Sequence, residues 1–109
     1  MAEFVPAATA VFGALSDTVS VSVPSITDPD CAKVDVDVSG GSDFQPKVGD
    51  AVIAIPLVAL PTNARLSGAW VSATDTVTVT FSSEGGNVTG AAKDFRFLYF
   101  DCTTTSPGT

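Results

Sequence analysis

Four aspartates are the side chains in this chain best suited to bind a ligand or metal. Asp28 and Asp30 flank Pro29, whereas Asp35 and Asp37 alternate with valines in the segment AKVDVDV. Calcium requires several oxygen ligands that converge on one point, and the spacing here does not resemble an EF-hand loop. The alternation instead favours a solvated acidic face of a strand, so we predict no metal site.

The two cysteines, Cys31 and Cys102, are the next candidates for chemistry. One precedes a predicted strand and the other follows the last predicted strand, so they would meet if those strands were neighbours. We favour two reduced, semi-buried thiols, and a disulfide formed after release from the cell is the alternative. The chain has no histidine to activate a cysteine. No spacing marks a paired-carboxylate site either, so we expect no catalytic residue, no cofactor and no enzymatic activity.

The length and composition of the chain indicate a single domain whose surface is partly covered by a partner. The 109 residues correspond to one domain, and 45% of them are hydrophobic while only 16% are charged. Soluble monomers seldom expose large contiguous apolar patches. We therefore expect a partner to cover part of the surface.

The charge of the chain argues against two classes of partner. The formal net charge is -7, and the five cationic residues do not cluster. Nucleic acids and anionic membranes both require a basic patch, so neither is expected as a partner. No apolar run reaches the ~20 residues of a membrane-spanning helix. The segment before Lys33 carries Glu3 and no cation, so it lacks the charged region of a secretory signal, and we expect the chain to be used in a cytoplasm or in a particle assembled there.

Alternation with period two predicts strands at several places. It occurs in Asp17–Pro24, in Ala32–Val38 and in Asp75–Phe81, where three threonines would lie on one face and Val77, Val79 and Phe81 on the other. A tight turn should join Gly68–Ala73 to the last of these strands in a hairpin. Ser82–Lys93 is predicted to be a long loop.

Two further segments are apolar on both faces. The first is Ala51–Leu60, and the second is Phe95–Phe100, in which Phe95, Phe97 and Tyr99 share one face while Leu98 and Phe100 share the other. In a two-sheet domain only one face of each sheet meets the core. The second face of these segments is therefore predicted to pack against another subunit.

The fold class predicted by these patterns is all-β: a small antiparallel β-sandwich or jelly-roll-like barrel of six to eight strands. Eight strands would require one from the N-terminal segment and one from Phe44–Val48. Residues 17–102 would form the domain, and residues 103–109 a flexible tail. We interpret Met1–Ser16 as an extended arm that docks on a neighbour, although an ordinary first strand of the sheet would also fit.

Specific residues also resemble a known family. Gly49-Asp50, Pro56, Pro61, Trp70-Val71-Ser72-Ala73 and the run Asp75–Val79 follow a pattern that resembles small virion proteins of tailed bacteriophages, namely capsid decoration (cement) or head-fibre proteins. The resemblance covers about Asp17 to Tyr99. It implies a compact β-sandwich, a homotrimer bound to the major capsid protein on the outside of a phage head, and assembly in the host bacterial cytoplasm. The aspartates of Asp28–Asp37 and the aromatic segment Phe95–Phe100 depart from the family pattern.

The function expected from this resemblance is structural, and two alternatives remain open. One is a carbohydrate-binding or adhesin module on a fibre, in which Trp70, Tyr99 and the Gly85–Gly90 loop would contribute. The other is a tail, neck or baseplate component. Trp70 would otherwise cover the core or anchor an interface. The candidate contacts with other subunits or with the capsid are Phe4, Val11, Phe12, Ile53, Ile55, Leu57, Leu60, Trp70, Leu98 and Phe100.

Overall fold

A computed structural model describes residues 12–39 and 45–101. Within these ranges the chain forms seven β-strands and no helix. The strands are β1 (Phe12–Leu15), β2 (Val19–Val23), β3 (Cys31–Asp37), β4 (Ala51–Pro56), β5 (Ala64–Ala73), β6 (Thr76–Ser83) and β7 (Ala91–Asp101).

The strands form two antiparallel sheets, each built around one long central strand. In the first sheet β7 is central: β4 pairs along one edge, and β1 and β2 share the other edge, β1 beside residues 98–101 and β2 beside residues 91–95. In the second sheet β6 lies between β3 and β5. This arrangement confirms the predicted all-β sandwich.

The core lies between the sheets because the inner face of each central strand is apolar. Phe95, Phe97 and Tyr99 of β7 are fully buried, as are the inner residues of β6. The rings of β7 stack along the strand, and the ring of Phe81 meets Phe95 edge-on, with 6.2 Å between ring centroids. The remaining buried hydrophobic residues of the core are Val21, Val23, Ile26, Val36, Val38, Ala54, Val77, Val79 and Val88.

The predicted hairpin is confirmed, and its turn explains why. Asp75 adopts a positive φ of 61°, a conformation that aspartate tolerates better than most residues, and it joins β5 to β6. Across the hairpin Val71 pairs with Val77, and Trp70 pairs with Thr78. The valines consequently face the core, and Trp70 faces outward.

Several predicted boundaries were wrong. Ser82 and Ser83 belong to β6, and residues 91–93 belong to β7, so the predicted loop Ser82–Lys93 is confined to residues 84–90. The apolar run Ala51–Leu60 is not one strand, because β4 ends at Pro56. Residues 45–48, the described part of Phe44–Val48, form no strand. Phe12–Leu15 is a strand of the domain's own sheet, which is the alternative to an arm that the sequence left open for this part of Met1–Ser16.

Candidate interaction surfaces

The outer face of the first sheet carries a contiguous apolar patch, called here the apolar face. Leu15, Leu98 and Ile53 are register partners and form one row across β1, β7 and β4. Gly13, Phe100 and Ala51 form the next row. Leu15 is 46% exposed and Ile53 is 51% exposed. The side chains that define the apolar face are Leu15, Ile53, Ile55, Leu98 and Phe100.

The ring of Phe100 lies beside Gly13 of β1 on the apolar face. A Cβ built on Gly13 would lie 3.6 Å from Cε1 of Phe100, in ordinary van der Waals contact. The ring therefore lies beside the backbone of β1.

One polar joint separates the apolar face from the rest of the sheet. Between β1 and β2 the backbone N–H of Ser16 donates to the carbonyl of Phe97 over 2.8 Å, and the Ser16 hydroxyl oxygen accepts from the Phe97 N–H over 2.8 Å. Nε of Arg96 donates to the Ser16 carbonyl over 2.7 Å. The guanidinium of Arg96, an outward-facing cation of β7, is therefore drawn towards the joint.

The acidic groups near the apolar face are few. Of the outward-facing residues of β4 and β7, only Asp94 and Arg96 are charged, and both lie towards the β2 end of β7. The chain as a whole carries a net charge of -7. Two copies could therefore meet at the apolar face without bringing many carboxylates together.

The predicted contact residues fall into separate places. Ile53, Ile55, Leu98 and Phe100 come together on the apolar face. Leu57 is 46% exposed just beyond β4, and Leu60 packs against the core. Trp70 lies on the other sheet. Phe4 and Val11 lie outside the described residues, and nothing is described of the Phe12 side chain.

Leu15 belongs to the apolar face although the sequence did not single it out. It lies in an Ala-rich segment with no clear period, and its partner Leu98 is 83 positions away in the sequence. No periodicity of Phe12–Leu15 assigns its residues to one face of a sheet, and the position of Leu15 follows only from the pairing of β1 with β7.

An open groove of about 230 Å³ separates the two sheets along one side of the sandwich, between β4 and β5. Val52, Ala54, Leu66 and Ala69 supply its apolar lining. Each of these strands pairs on one side only within the described ranges. The edge of β5 is irregular, with register shifts after Leu66 and after Val71, and such bulges discourage the addition of another strand.

The outer face of the second sheet differs in composition and is called here the tryptophan face. It contains the outward residues of β3, β6 and β5 around Trp70, which is 46% exposed. Thr78 lies between Trp70 and Asp35, and its Oγ1 is 2.6 Å from Oδ1 of Asp35 and 2.7 Å from Oγ of Ser72. The predicted position of Trp70, opposite Ala69 and Val71, is confirmed.

Tyr99 cannot be part of an exposed aromatic platform, contrary to the sequence prediction. It is fully buried on the inner face of β7. Desolvation by this burial, and secondarily the negative charge of Asp75, raises the pKa of Tyr99 to about 12. The Gly85–Gly90 loop is also distant from Trp70: it lies beyond the end of β6, where the Cβ position of Gly86 is beside Asn63.

The predicted acidic face is present, and its aspartates point outward. Asp35 and Asp37 are both exposed. A hydrogen bond from the backbone N–H of Ser39, 2.9 Å long, lowers the pKa of Asp37 because it stabilises the carboxylate. Within residues 12–39 and 45–101 no three potential ligands lie close enough to hold a metal ion. Cys31 is exposed rather than semi-buried, and Cys102 lies outside the described residues.

In the part of the chain that the structure describes, no helix has the length and apolar character needed to cross a membrane. Comparison with protein-family models, with curated proteins and with solved structures finds no match for this chain.

Proposed function

We propose that this chain is a structural virion protein: a capsid decoration protein that binds the outside of a phage head and stabilises it by bridging subunits. The observation that carries the proposal is the apolar face. The row Leu15–Leu98–Ile53 crosses three strands on the side of the sheet turned away from the core. The resemblance of the sequence to capsid decoration proteins suggests what such a face would bind, namely other subunits of a phage head.

Apolar area is a suitable means of cementing a shell. Burial of apolar surface yields roughly 25 cal/mol per Å² without any directional chemistry. A stable contact requires about 800 Å² from each partner, with an apolar centre and a polar rim. The five side chains of the apolar face can supply the centre: Leu15 and Ile53 are about half exposed, and the other three are partly exposed. Ser20, Ser22 and Asp94 border it as a rim.

The contact is proposed to be made first with other copies of the chain, in a homotrimer, and then with the major capsid protein. A closed ring gives every copy the same contact, which suits a three-fold axis of an icosahedral head. Residues 1–11 precede β1, the strand at the border of the apolar face. They are proposed as the arm that extends this contact to a neighbour.

The test is the mass of the purified protein by size exclusion with light scattering, alone and after mixing with empty heads of the phage that encodes it. We expect an oligomer that co-sediments with heads. The double variant Ile53→Ser/Leu98→Ser should be monomeric and remain in the supernatant. Trp70→Ser removes a side chain about as exposed as Ile53 from the opposite sheet, so it is the matched control and should behave as the parent does.

A monomeric parent protein without affinity for heads would refute the proposal. An oligomer that forms through the apolar face but ignores heads would instead favour the tail, neck or baseplate alternative, and its position in a density map of the virion would decide this. Deletion of residues 2–11 tests the arm. This deletion leaves Ser16 and β1 in place, so lost head binding would not be explained by damage to the sheet.

A further inference from the structure

The tryptophan face has a feature that the folding of the domain does not explain. Trp70 is nearly half exposed, and its partner across the strand pair is the small polar residue Thr78. Gly68, two positions earlier, pairs with Thr80, and a Cβ built on it would contact only Thr80 Oγ1, at 3.6 Å. No large side chain of β5 or β6 therefore covers the indole from these positions.

Beside the indole, three polar side chains form a directed hydrogen-bond chain. The Thr78 hydroxyl has one proton, yet it lies within hydrogen-bond distance of both Asp35 and Ser72. Since the carboxylate can only accept, Thr78 donates to Asp35 and accepts from Ser72. Thr78 is 2% exposed, whereas Asp35 and Ser72 are exposed. The chain therefore fixes two outward-facing groups, a carboxylate and a serine oxygen, next to an aromatic ring.

We propose that this arrangement is a binding site for a neutral sugar ring. The C–H bonds on one side of a pyranose carry partial positive charge, which complements the negative face of the indole. The sugar hydroxyls would then donate to the second oxygen of Asp35 and to Ser72 Oγ; a hydrogen bond to an ionised acceptor is stronger than one between neutral groups.

The charges of the face select the class of sugar. Asp35 and Asp37 both point outward from β3, with Lys33 on the same side of that strand. The other cation of this face, Arg65 of β5, is paired with Glu84. An acidic sugar would be repelled by the two carboxylates and by the net charge of -7. A quaternary ammonium ligand is usually enclosed by several aromatic rings, whereas Trp70 is the single aromatic side chain that β3, β5 and β6 direct outward.

The same charges argue against a second copy of the chain as the occupant. Two tryptophan faces in contact would bring the Asp35–Asp37 pairs of both copies together, which costs energy at an interface that excludes water. The apolar face has no such pair. Sugar binding is thus independent of assembly through the apolar face, because the two surfaces lie on opposite sides of the sandwich.

The experiment uses the full chain, whose only tryptophan is Trp70 and therefore its own fluorescent reporter. The probes are the methyl glycosides of glucose, galactose, mannose and N-acetylglucosamine, with glucuronic acid as the acidic comparison and tetramethylammonium as the cationic one. We expect at least one neutral glycoside to shift the Trp70 emission to saturation, with a Kd in the millimolar range, about 4 kcal/mol of binding free energy.

Two matched variants locate the site. Asp35→Asn should weaken binding about tenfold, because the charged acceptor is lost. Asp94→Asn removes an exposed carboxylate from the opposite face and should bind like the parent. A saturating response that Asp35→Asn weakens and Asp94→Asn preserves supports the site. No response to any neutral glycoside, equal weakening in both variants, or tighter binding of glucuronic acid or tetramethylammonium would overturn it.

The two proposals fail separately. Oligomeric mass and head binding report on the apolar face and do not involve Asp35. An oligomer that binds heads but no glycoside removes only the sugar site, and a monomer that binds glycoside removes only the capsid role.

Discussion

The outer faces of the two sheets differ in residue composition, although packing of the core between the sheets does not require this difference. Both sheets have a long central strand with an apolar inner face, β7 in one and β6 in the other. On the outside, however, β7 presents Leu98 and Phe100, whereas β6 presents threonines and a serine. A residue on an outer face contributes little to the core, so its type reflects what that face meets: in our proposal, another subunit for the first sheet and solvent or a sugar for the second.

The largest expected effect separates the two sides of β7. Phe97→Ala should lower the free energy of unfolding by about 3–5 kcal/mol, since it leaves a cavity in the core. The neighbouring Leu98→Ser should cost much less in the monomer and should instead reduce association. Urea unfolding at several protein concentrations measures both, because association adds stability that depends on concentration. Similar losses for the two variants, independent of concentration, would mean that the outer side of β7 serves only the fold.

The second largest effect is expected at alkaline pH, where ionisation of Tyr99 on the inner side of β7 should lower the stability of the fold. Tyr99 titrates at about 12 in the folded protein against 10.0 ordinarily. Between these values the unfolded chain loses a proton that the folded chain keeps, so stability should fall as pH rises from 10 to 12, by about 2–3 kcal/mol in total. Below pH 10 this group contributes no pH dependence.

Tyr99→Phe is the control for that decline, because it removes the titrating group and keeps the ring. Its stability should depend less on pH in the same range. Tyr99 is the only tyrosine of the chain, so tyrosinate absorbance reads its ionisation directly. An ordinary titration near pH 10 in the folded protein would show that the phenol is not buried as described.

The regular strands were predictable from the sequence, because alternation depends on the backbone alone. The faces of β3, β6 and β7 followed from the alternation of valine with aspartate or threonine, and of aromatic residues with Arg96 and Leu98. The doubly apolar character of β4 and β7 correctly predicted an apolar face outside the core. Whether that face binds another subunit stays a prediction.

The parts that failed depend on contacts distant in the sequence. That β1 and β2 share one edge of β7 is set by Ser16 and Phe97, 81 positions apart. Ala91 and Ala92 extend β7 because they pair with β2, not because of any periodicity of their own. Likewise, the exposure of Trp70 depends on Gly68 and Thr78 as neighbours. The alternation along β5 predicts that the side chain points outward, but it does not predict whether neighbouring side chains bury the indole.

A smaller effect is expected at the joint that borders the apolar face. Ser16→Ala should destabilise the protein by about 1–2 kcal/mol, because the buried Phe97 N–H loses its acceptor. Amide hydrogen exchange at Phe97 should accelerate. Ser22→Ala, an exposed serine of β2, is the control and should change stability by less than about 0.5 kcal/mol. If both variants matched the parent, the joint would not be what holds β1 beside β7.

The smallest effect is expected on the tryptophan face. Thr78→Val keeps the shape of the side chain but removes the donor to Asp35 and the acceptor for Ser72, so it should cost about 1 kcal/mol in thermal or urea unfolding. Thr78→Ser keeps the hydroxyl and should retain the hydrogen-bond chain. Neither variant should alter oligomeric mass, because the apolar face lies on the other sheet. A change of oligomeric mass in Thr78→Val alone would show that the tryptophan face also makes a subunit contact. The proposal that subunits associate only through the apolar face would then be wrong.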